Sequence, residues 1–147
     1  MKIIFYIFTI YPLRFAFLVL DIVFKAIPLK VLKLVPSFKV TRKNLSIAFT
    51  DLNDRDLDLL AKESYKETLK SFYETLYTWS RSYKKIIYQT KRINNRFLFT
   101  TPKQEDGLII IALHNRSIDF MLRWISSQRP HTSLYKKIKS KLINSFV

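Results

Sequence analysis

Between Gly107 and His114 the chain reads LIIIAL, six apolar residues without a break. A short apolar run bounded by a glycine turn and a polar segment predicts a strand buried on both faces, as in a parallel sheet covered by helices. A chain of 147 residues is about one domain of material, and a doubly covered sheet would dominate it. Asp119, Phe120, Met121, Leu122, Trp124 and Ile125 follow with helical spacing, and Ser117 stands where an N-cap belongs, so the local unit is strand, turn, helix. The fold class expected is α/β.

This unit places His114, one of only two histidines, at the carboxyl end of a strand, the edge where open α/β sheets bind ligands. Residues five apart on one continuous helix diverge by about 140° and cannot share a proton, but His114 and Asp119 can meet across a turn. The carboxylate would then hold one imidazole N–H and leave the other nitrogen free to take a proton from a hydroxyl, which is worth about 10²- to 10⁴-fold in rate. The alternative is that Asp119 only complements its helix N-terminus, an effect of about 0.3–1 kcal/mol. His131 reads as a surface residue.

Composition removes several chemistries. There is no cysteine, hence no disulfide, thiolate metal site or Cys nucleophile, and a single glycine excludes a glycine-rich phosphate loop. Twenty-six Lys and Arg against 11 Asp and Glu give a formal charge of +15, which attracts polyanions such as anionic lipid, an acidic protein or nucleic acid.

Residues 3–24, IIFYIFTIYPLRFAFLVLDIVF, are long enough to cross a bilayer but are interrupted by Pro12, Arg14 and Asp21. Each aliphatic residue or Phe favours insertion by roughly 0.3–0.6 kcal/mol, and a central Arg opposes it by roughly 2.5–3.5 kcal/mol. Spanning, lying in the interface and packing as a buried core helix all remain open. Lys25, Lys30, Lys33, Lys39, Arg42 and Lys43 follow with no acid from Ile22 to Thr50, as suits a cytoplasmic segment beside anionic headgroups. Residues 1–50 are therefore expected to be a membrane-associating region, and 51–147 the α/β domain.

That domain should open with a helix. Asp51, Asp54, Asp56 and Asp58 cluster where carboxylates complement an N-terminus, with Asn53 or Asp54 as cap. Leu57, Ala61, Tyr65, Leu69, Phe72, Leu76 and Trp79 form one apolar stripe, read as packing surface, while Lys62, Lys66 and Lys70 fall on another face and are expected to be solvated. KKIIYQ and RFLFTT are short apolar runs compatible with either helix or strand, and PKQEDG is a turn signal.

In that order, VTRKNLSIAF (Val40 to Phe49), AKESYKETLKSFYETLYTW (Ala61 to Trp79) and GLIIIALHNRSIDF (Gly107 to Phe120) resemble the bacterial lipid A biosynthesis acyltransferases. The R-x-N-L-x-x-A-F element at Arg42 to Phe49 is the more distinctive motif, while the H-x-x-x-x-D pair belongs to a wider acyltransferase superfamily. Two departures stand out. The family commonly follows its histidine with a Phe-Gly-Asn-Trp-Glu type sequence, and here Asn115, Arg116, Ser117, Ile118 and Asp119 follow. Lys136 occupies a position that is often Arg.

The resemblance implies N-terminal membrane-associated helices followed by an incomplete acyltransferase-like sheet-and-helix domain, with the chain as the N-terminal portion of a longer enzyme. It implies transfer of a fatty acyl group from acyl carrier protein to a hydroxyl of a phosphorylated glucosamine lipid, at the cytoplasmic face of the bacterial inner membrane, with no cofactor, metal or nucleic acid. His114 and Asp119 would be catalytic, and Arg42, Asn44, Arg116 and Lys136 would contact substrate. Two other readings are a non-catalytic membrane-anchored protein, and a basic nucleic-acid-binding module using Tyr83 and Tyr88 for stacking.

Overall fold

In a computed structural model of the protein, residues 9–90, 92–100, 107–111, 118–128 and 130–132 are described. They form seven helices: α1 Leu13–Ala26, α2 Leu29–Leu32, α3 Pro36–Ala48, α4 Asp54–Ser80, α5 Tyr83–Gln89, α6 Phe97–Thr100 and α7 Ile118–Gln128. Among the described residues there is no strand.

Prolines set the first boundaries. Pro12 is extended, with φ −60° and ψ 147°, so the apolar N-terminal run becomes helical only from Leu13. Ile27 leaves the helix with ψ 123°, as expected before Pro28, which disfavours the α region for its predecessor. Pro36 opens α3 at its first turn, where a missing N–H costs nothing. Among the described residues, no helix is long and apolar enough to cross a membrane.

The spine is α4, 27 residues long and hence about 40 Å. Its start is the one the sequence predicts. The Asn53 side chain accepts from the Asp56 backbone N–H at 2.9 Å and donates to the Asp56 carboxylate at 2.8 Å, a reciprocal cap. Helices α1, α2 and α3 pack on α4, α7 packs nearer its C-terminal end, and α5 packs on α7. The core joins Phe24, Leu32 and Phe38 to Ala61, with Tyr65 and Leu69 against them, so it draws on both the 1–50 and the 51–147 regions. The Tyr65 ring meets Phe38 edge-on at 5.7 Å, and its hydroxyl hydrogen-bonds Ser37 at 2.7 Å. Fully burying a ring of the size of Phe38 is worth about 1.5–3 kcal/mol.

Three expectations are corrected. The α/β reading fails over the described part of its key segment: Leu108 to Ile111 is irregular, without a ladder partner. Ile109 and Ile111 are each 90% exposed while Leu108 and Ile110 are 39% and 38%, so one side of the segment faces solvent. A strand needs a neighbour for its N–H and C=O groups, and no described segment supplies one. Ala112 and Leu113, and Ser117 as cap, lie outside the described residues.

The stripe on α4 also turns. Phe72 is 59% exposed, while Glu74, Tyr77 and Thr78 are buried instead. The lysine face is not solvated. Lys62 donates to the Ile27 carbonyl at 2.7 Å, at the C-terminus of α1 where a cation is favoured. Lys70 and Lys66 pair with Asp21 at 2.6 and 3.2 Å, and Lys70 is buried. Helix α1 lies across this face, so the amphipathic pattern of α4 has two covered sides rather than one. The two undecided runs are helical, as α5 and α6, and Asn95 precedes α6 with φ 54°, a left-handed conformation that Asn tolerates.

Candidate active site

Of the residues singled out in the sequence, Asp119, Arg42 and Asn44 are described; His114, Arg116 and Lys136 lie outside the described residues. Asp119 occupies the first turn of α7 and is half-buried. One carboxylate oxygen accepts from the Thr75 hydroxyl at 2.6 Å, and the other accepts from the Trp79 indole N–H at 3.1 Å. Thr75 and Trp79 are four apart on α4, so they project from successive turns of one face. The sequence pattern puts Trp79 in the packing stripe and gives Thr75 no distinguishing position. The available signal was weak: a Trp ending an apolar stripe carries one N–H that needs an acceptor, but no spacing announces an acceptor 40 residues away.

A cleft of about 980 Å³ is lined by residues of α1, α4, α5, α6 and α7, Asp119 not among them. Phe120, the next residue of α7, lines it, as does Glu74, the neighbour of Thr75 on α4. Leu13 and Phe17 of α1, Tyr88 of α5, Phe99 of α6 and Trp124 of α7 make its apolar wall, and Arg14 and Arg92 add two guanidinium groups. The Phe99 and Trp124 rings meet edge-on at 5.1 Å. The N-terminal end of α1 reaches the cleft because the chain before it is fastened to the C-terminal end of α4. The Tyr73 hydroxyl donates to the Tyr11 carbonyl at 2.9 Å, the Thr9 and Ser80 hydroxyls share a hydrogen bond of 2.7 Å, and Arg81 donates to the Thr9 carbonyl. Burial raises the Tyr73 phenol above its ordinary pKa, against the pull of Arg81.

Arg42 is engaged elsewhere. Its Nε donates to Asp58 at 2.6 Å and its Nη2 to Asp54 at 2.5 Å, and Lys33 also pairs with Asp58. The two carboxylates, Asp58 foremost, raise the Arg42 pKa further. Burial pushes the Asp58 carboxyl up, but the hydrogen bonds from Lys33 and Arg42 outweigh it and hold it below the usual range. Asn44 is exposed on α3. Along α4, Asp58 and Thr75 are 17 positions apart, about 26 Å at the helical rise. The structure therefore sets Arg42 and Asp119 at opposite ends of the spine.

The outer face of α1 is apolar and unpacked, with Phe15, Leu18, Val19, Ile22 and Val23 exposed. Its inner face carries Asp21, whose pKa the Lys70 hydrogen bond lowers, against desolvation and with help from Lys66.

Neither the curated proteins nor the solved structures give a significant match to this sequence. The family model for bacterial lipid A biosynthesis acyltransferases matches residues 4–147. The chain belongs to that family, and its reaction class is acyl transfer from a donor to a lipid acceptor.

Proposed function

We propose that the protein moves a fatty acyl group from acyl carrier protein to a hydroxyl of a phosphorylated glucosamine lipid, with His114 as base and Asp119 as its orienting carboxylate. The imidazole takes the hydroxyl proton as the oxygen attacks the thioester carbonyl. The tetrahedral intermediate collapses with loss of the C–S bond, and the imidazolium returns the proton to the departing thiolate. No protein nucleophile is required, in keeping with a chain that has no cysteine.

The observations that carry this reading are an Asp119 carboxylate held through both oxygens at the start of α7, and an apolar cleft of about 980 Å³ whose lining includes the next residue, Phe120. That volume is at the upper end of small-molecule sites, which run to about 1,000 Å³, and its aromatic wall suits a hydrocarbon chain. Arg14 and Arg92 in the wall favour phosphate or an acidic carrier. The exposed apolar face of α1, bordered by Arg14 and Lys25, fits a helix lying in the headgroup layer better than one crossing it. We assign the site of action to the cytoplasmic face of the inner membrane on this basis and on the net charge of +15.

The test is an acyl-transfer assay with acyl carrier protein thioester and phosphorylated glucosamine lipid in vesicles. His114→Ala should lower turnover about 10²- to 10⁴-fold while vesicle binding is retained. Unchanged turnover would remove His114 as the base.

A further inference from the structure

Three threonines of α4 have their hydroxyl bonds placed. Thr68 and Thr78 give theirs to carbonyls of their own helix, Ser64 at 2.9 Å and Glu74 at 2.8 Å, the usual use of a helical threonine. Thr75 instead bonds outward, to Asp119 on α7 at 2.6 Å. One turn later, Trp79 does the same with its indole N–H at 3.1 Å. An indole N–H can only donate, so the oxygen facing it must present a lone pair. Two donors on a rigid helix thus take one site on each carboxylate oxygen and fix the rotation of the group. Each oxygen keeps a further lone-pair site.

We propose that Thr75 and Trp79 are positioning residues that fix the rotation of the Asp119 carboxylate, and through it the orientation of the proposed base His114. This rests on the His114 and Asp119 reading above and extends it to the residues that set its geometry. Both donors are neutral, so they orient the carboxylate without cancelling its charge, which is what stabilising an imidazolium requires. A purely structural tether between α4 and α7 would need no such neutrality and would tolerate a cation.

The chain has only two histidines, so imidazole nitrogens labelled with ¹⁵N report on His114 directly once His131→Gln has assigned the other. In the unaltered protein, His114 should titrate above its value in Asp119→Asn. The double variant Thr75→Val, Trp79→Phe should bring it part of the way down to the Asp119→Asn value, since its carboxylate keeps its charge but loses its fixed rotation. In the acyl-transfer assay the same variant should lose roughly 10- to 100-fold in kcat, the range typical of outer-shell partners, with KM within about twofold. Thr75→Ser, which keeps the hydroxyl, should restore both readouts when Trp79 is present.

The proposal is overturned if the double variant, folded by circular dichroism, keeps the His114 titration and kcat of the unaltered protein. It is equally overturned if only the melting temperature falls. Should the double variant fail to fold, Thr75→Val alone, which preserves shape, carries the same two readouts. The titration needs no turnover, so it separates the two ideas: active His114→Ala defeats the base, while a titration that ignores Thr75 and Trp79 but responds to Asp119→Asn defeats the tether alone.

Discussion

The two ends of α4 each hold a carboxylate group, and they hold it in opposite ways. At the N-terminal end, Asp58 meets Lys33 and Arg42, and Arg42 reaches on to Asp54. Cations there neutralise acids, and the result joins α2, α3 and α4. At the C-terminal end, the hydrogen bonds to Asp119 among the described residues come from a hydroxyl and an indole N–H. Neutral donors orient that carboxylate and bring no counter-charge to it. A charge cancelled by its neighbours serves the fold; a charge held but not cancelled remains available to a reaction.

Exchanging charge for its neutral isostere at both ends tests this difference where the effect is greatest. Asp119→Asn fits the tether, because the amide oxygen can accept from Trp79 while the Thr75 hydroxyl turns to accept from the amide nitrogen. Stability should therefore change little, yet turnover should fall about 10²- to 10⁴-fold because an amide cannot stabilise the imidazolium. Asp58→Asn should do the reverse, lowering the urea midpoint while leaving the turnover of the folded protein intact. Equal losses of turnover in the two variants would erase the distinction.

Stability against pH sharpens the N-terminal side. The Asp58 carboxyl is held below its ordinary pKa by Lys33 and Arg42, against burial. Its contribution is therefore present above the unfolded value of about 3.8 and is lost as pH falls through the lower, folded value. On the alkaline side, Lys70 is raised despite its burial, by Asp21 and Glu67, and Lys66 is raised chiefly by Glu63. Their contributions are full below about 10.5 and fade as pH rises through the raised values. Urea unfolding between pH 2 and pH 6 should give a shallower acid limb for Arg42→Met than for the unaltered chain. At pH 7 the same variant should be less stable by about 1–3 kcal/mol, since it leaves a buried carboxylate with one fewer charged donor. An acid limb that does not change would mean that Arg42 is not the group holding Asp58.

The N-terminal end was also the more legible one. Asn53 and the acids after it marked the start of α4 because a cap is a local event, readable within four residues. Pro12, Pro28 and Pro36 mark boundaries for the same reason. Contacts made across space left weaker traces. Lys62, Lys66 and Lys70 read as a solvated face because nothing in α4 itself reveals that α1 will lie over them and bring Asp21 with it. The run at Leu108 misled for a different reason: apolar length alone does not specify a strand, which exists only when a neighbour completes its hydrogen bonds. Asp119 was singled out through its spacing from His114 and through the family resemblance. Thr75 and Trp79, 44 and 40 residues before it, have no local pattern at all.

The smallest expected effect lies at the cap itself. In Asn53→Ala the Asp56 N–H loses its acceptor, and the Asp56 carboxylate loses the amide that now donates to it at 2.8 Å. Asp54 and Asp56 remain in the first turn, where their charge continues to favour the helix N-terminus, so the end should fray rather than unwind. A cost of about 1 kcal/mol is expected, within the range of about 0.5–2 kcal/mol for cap removal, read as a lower urea midpoint at constant slope. Asn53→Asp should recover most of it, because a carboxylate accepts the same N–H and adds favourable charge. The C-terminal end should be indifferent: amide exchange at Trp79 and turnover should match the unaltered chain. A loss of turnover in Asn53→Ala would show that the two ends of α4 are coupled along its length rather than doing separate work.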